Sequence, residues 1–264
     1  MNSVIHLTWW DVSLSAGLVV LLALLSWWQH LSLERQVLIA GLRTVVQLVL
    51  MGFLLKWVFS DEYAWLIPVM ALIMLAVAAW EIMARQKRRF IGGGSYFIGA
   101  SSMFISSFSV TLFALVIVIG SDPWYQAQYA IPLLGMMLGN TMTGIALSLD
   151  RLTSTAWQQR QVIEGRLMLG EHWKEAIADI RRDAIRSGLT PTINAMATVG
   201  IVSLPGMMTG QILAGVAPIE AVKYQILIMF MVSAGAGFGT VVALKIASQR
   251  LFDERQRLRL DRLR

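Results

Sequence analysis

The residues with the widest chemical reach in this sequence are thioethers, amides and hydroxyls set inside apolar blocks. Gly135-Met136-Met137-Leu138-Gly139, followed after four residues by Gly144, is matched by Gly206-Met207-Met208-Thr209-Gly210, followed after four by Gly215. Asn140, Thr141, Thr143, Asn194, Thr198, Ser203 and Thr209 lie beside these runs. Two uses are open. Small residues four apart let helices approach closely in lipid, with Met as adaptable filler. Alternatively, Met137, Asn140, Thr141, Asn194, Ser203, Met207 and Met208 line a route for a substrate, since polar side chains within a span turn toward the bundle interior. Thioethers suit soft metals, whereas carboxylates and imidazoles suit iron better. The Met residues are therefore not assigned as iron ligands, and no metal-ligand set is identified. Pro205 should break or kink the helix that carries the second run, and freed backbone groups are tolerated at membrane depth only against protein or a water-lined cavity.

Other chemistries are absent. The chain has no Cys, which excludes disulfides and thiolate sites. Its three His, at 6, 30 and 172, lie outside the apolar blocks. There is no G-x-x-x-x-G-K-[ST] phosphate loop and no H-E-x-x-H. Gly92-Gly93-Gly94-Ser95 lacks the phosphate-loop lysine and reads as a flexible entry to a helix. No carboxylate dyad lies in an apolar block, so the chain alone is not expected to be an enzyme. Arg43 and Glu81 fall at similar depth in two apolar blocks; they either pair or snorkel to the headgroups.

The elements that hold these residues are membrane spans. Of 264 residues, 56% are hydrophobic and 14% charged, against about 25% charged in soluble domains. Seven blocks are long enough to cross hydrocarbon: Trp9–Trp28, Leu38–Phe59, Ala64–Ala84, Tyr96–Ile119, Tyr129–Leu149, Thr192–Ala214 and Val222–Ala247. A span needs roughly 20 mostly apolar residues. The first block is that long and has no Lys or Arg before it, so it reads as a retained helix rather than a cleaved signal. The connections alternate in charge. Asp61 and Glu62, Asp122, and Glu220 mark three acidic ones; Arg85–Arg89, the seven basic residues of Asp150–Pro191 and the six Arg from Arg250 onward mark basic ones. Basic connections stay cytoplasmic. The expectation is an all-α, polytopic transmembrane bundle of about seven spans, a single permease domain over 1–264, with its N-terminus outside and its C-terminus inside. Trp9, Trp10, Trp27, Trp28, Trp57, Trp65, Trp80 and Trp124 fall near the expected interfaces.

The segment at about 150–190 is the one long non-membrane stretch. Ile163, Leu167, Trp173, Ile177, Ile180 and Ala184 form a one-faced helical stripe with a gap at Gly170, which reads as helix, break, helix. The stripe either packs on the membrane face of the protein or docks a cytoplasmic partner.

Several stretches together resemble the FetB-type permeases, the membrane subunits of ABC-type iron exporters, whose plant relatives are linked to aluminium tolerance. They are Gly41-Leu42-Arg43-Thr44-Val45-Val46-Gln47-Leu48, Leu138-Gly139-Asn140-Thr141-Met142-Thr143-Gly144, Leu204-Pro205-Gly206-Met207-Met208-Thr209-Gly210 and Lys223-Tyr224-Gln225-Ile226. The resemblance covers nearly the whole chain. It implies a permease homodimer in a bacterial inner membrane and an ATPase on a separate chain that holds ATP and Mg. It implies no nucleic-acid partner. It also implies coupling through Glu164, Leu167, Gly170, Trp173 and Ile177. Glu164 followed by Gly170 is weakly similar to the Glu-Ala-Ala…Gly coupling motif of ABC importers, with Gly165 and Arg166 replacing the alanines. The competing reading is a stand-alone secondary transporter or a seven-helix receptor. The first would want acidic or His residues at mid-membrane, and the second a central lysine in the last span, where Lys223 and Lys245 lie at the ends.

Overall fold

The computed structural model describes residues 8–58, 65–120 and 125–264. The acidic connections at Asp61 and Glu62 and at Asp122, with His6, Trp124 and the side chains of Lys56 and Trp57, lie outside the described residues. The chain divides into two compact units, Met1–Ala64 and Trp65–Arg264.

In the first unit, α1 (Trp9–Trp28) and α2 (Glu34–Val58) form a helical hairpin. The Thr8 N–H and hydroxyl both donate to the Asp11 carboxylate at 2.8 Å and start α1. The hairpin turn is tight enough to hold His30 and Ser32 at positive φ, and the Leu33 N–H donates to Ser26 Oγ across it at 3.1 Å. Gly41 permits the close approach, since a Cβ there would meet Val19 Cγ1 at 3.2 Å. Both helices are apolar around most of their circumference and largely exposed within the chain, the pattern of helices whose solvent is lipid.

The second unit contains α3 (Leu66–Arg85) and a continuous rod over Gly94–Ile119. It goes on with α6 (Ala127–Gln158), α7 (Arg160–Met168), α8 (Trp173–Ala176), α9 (Ala178–Thr198), α10 (Gly206–Leu213) and α11 (Pro218–Arg250). The rod comprises α4 (Gly94–Met103) and α5 (Ser109–Phe113), each followed by a π-helical turn, at Phe104–Phe108 and Ala114–Ile119. Helix α6 is central and packs on α3, α9 and α11. Ile82, Ile145, Leu149, Leu152 and Leu244 are fully buried around it.

Among the described residues six helices are long and apolar enough to cross a membrane, and the fold is an all-α polytopic membrane bundle. The block Thr192–Ala214, expected as the sixth of seven spans with a break or kink at Pro205, is not among the six. Helix α9 stops at Thr198 and α10 starts at Gly206. Pro205 has no N–H to donate back to the preceding turn, and its ring disfavours helical backbone at Leu204. Gly200 takes φ +82°, and the Ile201 and Val202 N–H groups turn back onto the Thr198 carbonyl at 3.3 and 2.9 Å.

At one end of the unit the connection 86–93 is pinned on two sides, so the glycine run is not a free loop. The Lys87 N–H donates to Asp150 Oδ1 at 2.7 Å, the Thr153 hydroxyl donates to the Arg88 carbonyl at 3.0 Å, and the Arg88 guanidinium sits 3.8 Å from the centre of the Trp157 ring. From the other side Arg89 and Arg264 exchange backbone bonds of 3.0 and 2.8 Å, and Ile91 N–H donates to Arg262 O at 2.9 Å. The buried Ser95 hydroxyl accepts from Phe90 N–H and donates to Gln86 Oε1.

These bonds join three connections at one end of the bundle. Reporters fused after Arg89, after Arg160 and at Arg264 should therefore read the same side of the membrane, and a reporter after Pro218 the opposite one. Disagreement among the first three would contradict the joined platform.

Candidate functional site

Depth within the second unit can be read from contacts along α11. A Cβ at Gly188 of α9 would meet Thr240 Cγ2 at 3.2 Å. The Ser233 hydroxyl donates to Met196 Sδ at 2.6 Å. Met207 of α10 packs on the cluster that contains Ile228 and Met231. Helices α9 and α10 thus climb alongside α11 in the opposite direction, and the break Val199–Pro205 lies level with the middle of α11. Ile201, Val202 and Leu204 are 89%, 79% and 65% exposed there.

The structure brings part of the expected route together. Met137 is buried in the cluster on whose edge Met207 packs, so one residue of each Gly-Met-Met run borders the same core. Met208 is half-buried, while Asn140, Asn194 and Ser203 are exposed. Asn140 Nδ2 donates to Met136 O at 2.9 Å and Thr198 Oγ1 to Asn194 O at 3.0 Å. The Asn140 Oδ1 is left for another group, while the second bond ends on the backbone carbonyl of Asn194 and not on its side-chain amide. Thr141 is fully buried behind them, and its hydroxyl has no partner. The glycines of the two runs divide differently from expectation. A Cβ at Gly144 would come within 3.0 Å of Gly188 O, and one at Gly135 within 3.2 Å of Met74 Cε, whereas Gly139, Gly206 and Gly210 face open space.

Sequence reasoning missed the contact behind this face. Gly144, Gly188, Gly235 and Gly239 bring α6, α9 and α11 close, with hydroxyls filling the seam. A Cβ at Gly239 would meet Thr141 Cγ2 at 2.6 Å and Ser106 Oγ at 2.8 Å. Thr240, Ser102 and Ser107 are also fully buried, with hydroxyls that have no partner. Ser106 and Ser107 lie in the first π-helical turn; such turns recur at functional positions. The Ser spacing in the rod and the small residues of α11 were the available signal.

On the other side of the platform, the apolar stripe faces inward. Ile163 and Ile177 are buried, Leu167 and Trp173 pack on the same core, and the Trp173 ring stacks on Phe252 with centroids 5.3 Å apart. Glu164 and Gly170 are exposed, and Gly170 takes φ +91° at the turn between α7 and α8. Glu81 pairs with Arg85 at 3.7 Å; Arg43 lies on α2 in the first unit. Among the described residues no group of three or more His, Asp or Glu is placed to hold a metal. The chain has no phosphate-binding loop and no cysteine nucleophile.

A family model described as an uncharacterised protein family, UPF0014, matches residues 9–252, and the chain belongs to that family. It is 40% identical over 263 residues to a UPF0014 membrane protein of Synechocystis sp., covering 97% of this chain and 98% of that one. It is 35% identical over 261 residues to the "Probable iron export permease protein FetB" of Escherichia coli, covering 96% of each. It is 33% identical over 245 residues to "Protein ALUMINUM SENSITIVE 3" of Arabidopsis thaliana, covering 92% of this chain and 88% of that one. No solved structure matches the chain.

The glycine contacts make a paired prediction. In Gly188→Ala the new Cβ would lie 2.6 Å from Gly144 O and 2.9 Å from Ser148 Cβ, an overpacking that costs roughly 1–3 kcal/mol. It should lower the apparent Tm of the detergent-solubilised protein by several degrees. Gly210→Ala, with open space at its Cβ, should leave Tm unchanged. Equal shifts would remove the α6–α9 contact from the account.

Proposed function

We propose that this chain is the membrane-spanning permease subunit of an ABC-type exporter, that two copies form the permease, and that iron or another metal species is the cargo. An ATPase on a separate chain, holding ATP and Mg, drives transport. The names of the bacterial and plant relatives support a metal as cargo. The observation that carries the reading is the break Val199–Pro205. Irregular backbone at membrane depth is tolerated only where protein covers it or water lines it. Here it lies at mid-depth with exposed Ser203 and Asn194.

Parity supports a seventh, broken crossing. Trp173 before α9 stacks on Phe252 after α11, so both lie at one end of the bundle. Helix α11 arrives at that end after 33 residues, about 50 Å at helical rise, so it starts at the far end. The chain from α9 to α10 is the outward path. With six continuous helices this gives seven crossings and opposite termini. The six Arg at and after Arg250 favour a cytoplasmic C-terminus and an external N-terminus, in the inner membrane if the chain is bacterial.

The route runs between the two copies. On each, Asn140, Asn194, Ser203, Met207 and Met208 form the wall, with Met137 and Thr141 behind it. The amides and hydroxyl take up polar groups of a hydrated or chelated cargo, and the thioethers give an adaptable surface.

Asn140→Leu and Asn194→Leu test the route in an assembled permease–ATPase complex. Each should reduce substrate-stimulated ATP turnover more than basal turnover. Equal loss of both rates would indicate a structural role, and no loss would remove these residues from the wall.

A further inference from the structure

The C-terminal residues have no role in the reading so far beyond their positive charge, yet they are folded. Leu251, Phe252 and Leu263 are buried in the same core as Ile163 and Ile177. Phe252 bridges to Leu258, and between them Asp253 Oδ1 accepts from the Arg255 and Arg257 N–H groups at 3.0 and 2.8 Å. These donors, the Arg257 N–H foremost, hold the Asp253 carboxyl below the usual carboxylate range against the opposing cost of burial. The resulting turn stands against the α7–α8 elbow. Gln256 Oε1 accepts from the Trp173 N–H at 3.2 Å. The elbow is closed by Leu169, Gly170 and Glu171 N–H groups turning back onto Gly165, Leu167 and Arg166 carbonyls at 3.0–3.1 Å. This geometry is a helix C-cap around a left-handed glycine. It leaves Met168 and Leu169 84% and 86% exposed.

Elbow and turn enclose an open cleft of about 660 Å³, with Glu164, Leu167 and Glu171 on one wall and Arg255, Arg257 and Leu258 on the other. Arg257 is paired with Asp253 at 3.4 Å. Among the described residues no ion pair reaches Glu164, Glu171 or Arg255. The cleft is apolar at its base and opposite in charge on its two walls. Trp173 stacks on a residue beyond the end of α11, which sets the elbow past the crossing helices and away from hydrocarbon.

We propose that the C-terminal turn is the second wall of the socket that receives the ATPase subunit. This rests on the ATPase-partner reading. The occupant is a protein surface that presents an apolar side chain toward Leu167 and Leu258, a basic group toward Glu164 and Glu171, and an acidic group toward Arg255. The same tail pairs by backbone with Arg89 and Ile91, at the entry to the rod that carries the π-helical turns. ATPase movement at the elbow therefore reaches the rod through the tail as well as through α9.

The test uses the full-length permease in nanodiscs with its purified cognate ABC ATPase. The native chain has no Cys, so Leu169→Cys and Gln256→Cys each carry one benzophenone label, and Arg255→Glu is assayed for binding. Both labels should crosslink to the ATPase, and Arg255→Glu should weaken its binding at least about tenfold with the apparent Tm of the permease unchanged. Crosslinking from position 169 alone, with Arg255→Glu binding normally, would overturn the role of the tail and leave the ATPase partnership standing. Crosslinking of either label to lipid in place of protein would overturn the socket. Failure of the unlabelled native chain to bind any ABC ATPase would overturn the partnership itself.

Discussion

In hydrocarbon every backbone N–H and C=O needs a partner, because no water is present to supply one. Most of this chain meets that requirement with continuous helices. The segment Val199–Pro205 does not. Thr198 O receives the Ile201, Val202 and Ser203 N–H groups at 3.3, 2.9 and 3.4 Å, and Gly200 N–H closes on Ser203 O at 2.9 Å. The turn thus satisfies the Gly200, Ile201, Val202 and Ser203 donors by itself, while its apolar residues are left uncovered. A second copy on its flank and a polar route beside it would meet the remaining demand together.

What lets that segment sit at mid-depth is the backbone contact behind it. Gly144 and Gly188 allow α6 and α9 to touch, and Gly235 and Gly239 do the same for α6 and α11. Hydroxyls rather than methyl groups fill much of the seam, and several lack a partner. An unpartnered buried hydroxyl is a cost, so this seam is held less firmly than a dry apolar one.

Most of the helices were legible in the sequence because length and apolar content alone decide whether a helix can cross. The same measure is blind to whether the backbone stays closed, which is why Thr192–Ala214 read as a span despite Pro205. The stripe Ile163–Ala184 was legible as helix, break, helix, with Gly170 at the break. Which surface it covers was not, because its cover is Phe252 and Leu263, apolar residues scattered among arginines that read only as charge. The Gly-Met-Met repeat drew attention to two runs whose Met137 and Met207 border one apolar cluster. Its glycines at 139, 206 and 210 face open space within the chain, and spacing carries no information about which face of a helix turns inward.

The central claim is that the broken crossing borders water rather than lipid. The chain has no native Cys, so single cysteines report cleanly. Ser203→Cys in the break and Val77→Cys on the exposed outer face of α3, 50% exposed, can be compared with a membrane-impermeant maleimide in the assembled transporter. The account predicts rapid labelling at position 203, slowed by bound substrate, and none at position 77. Position 203 as unreactive as position 77, with the complex intact, would contradict it.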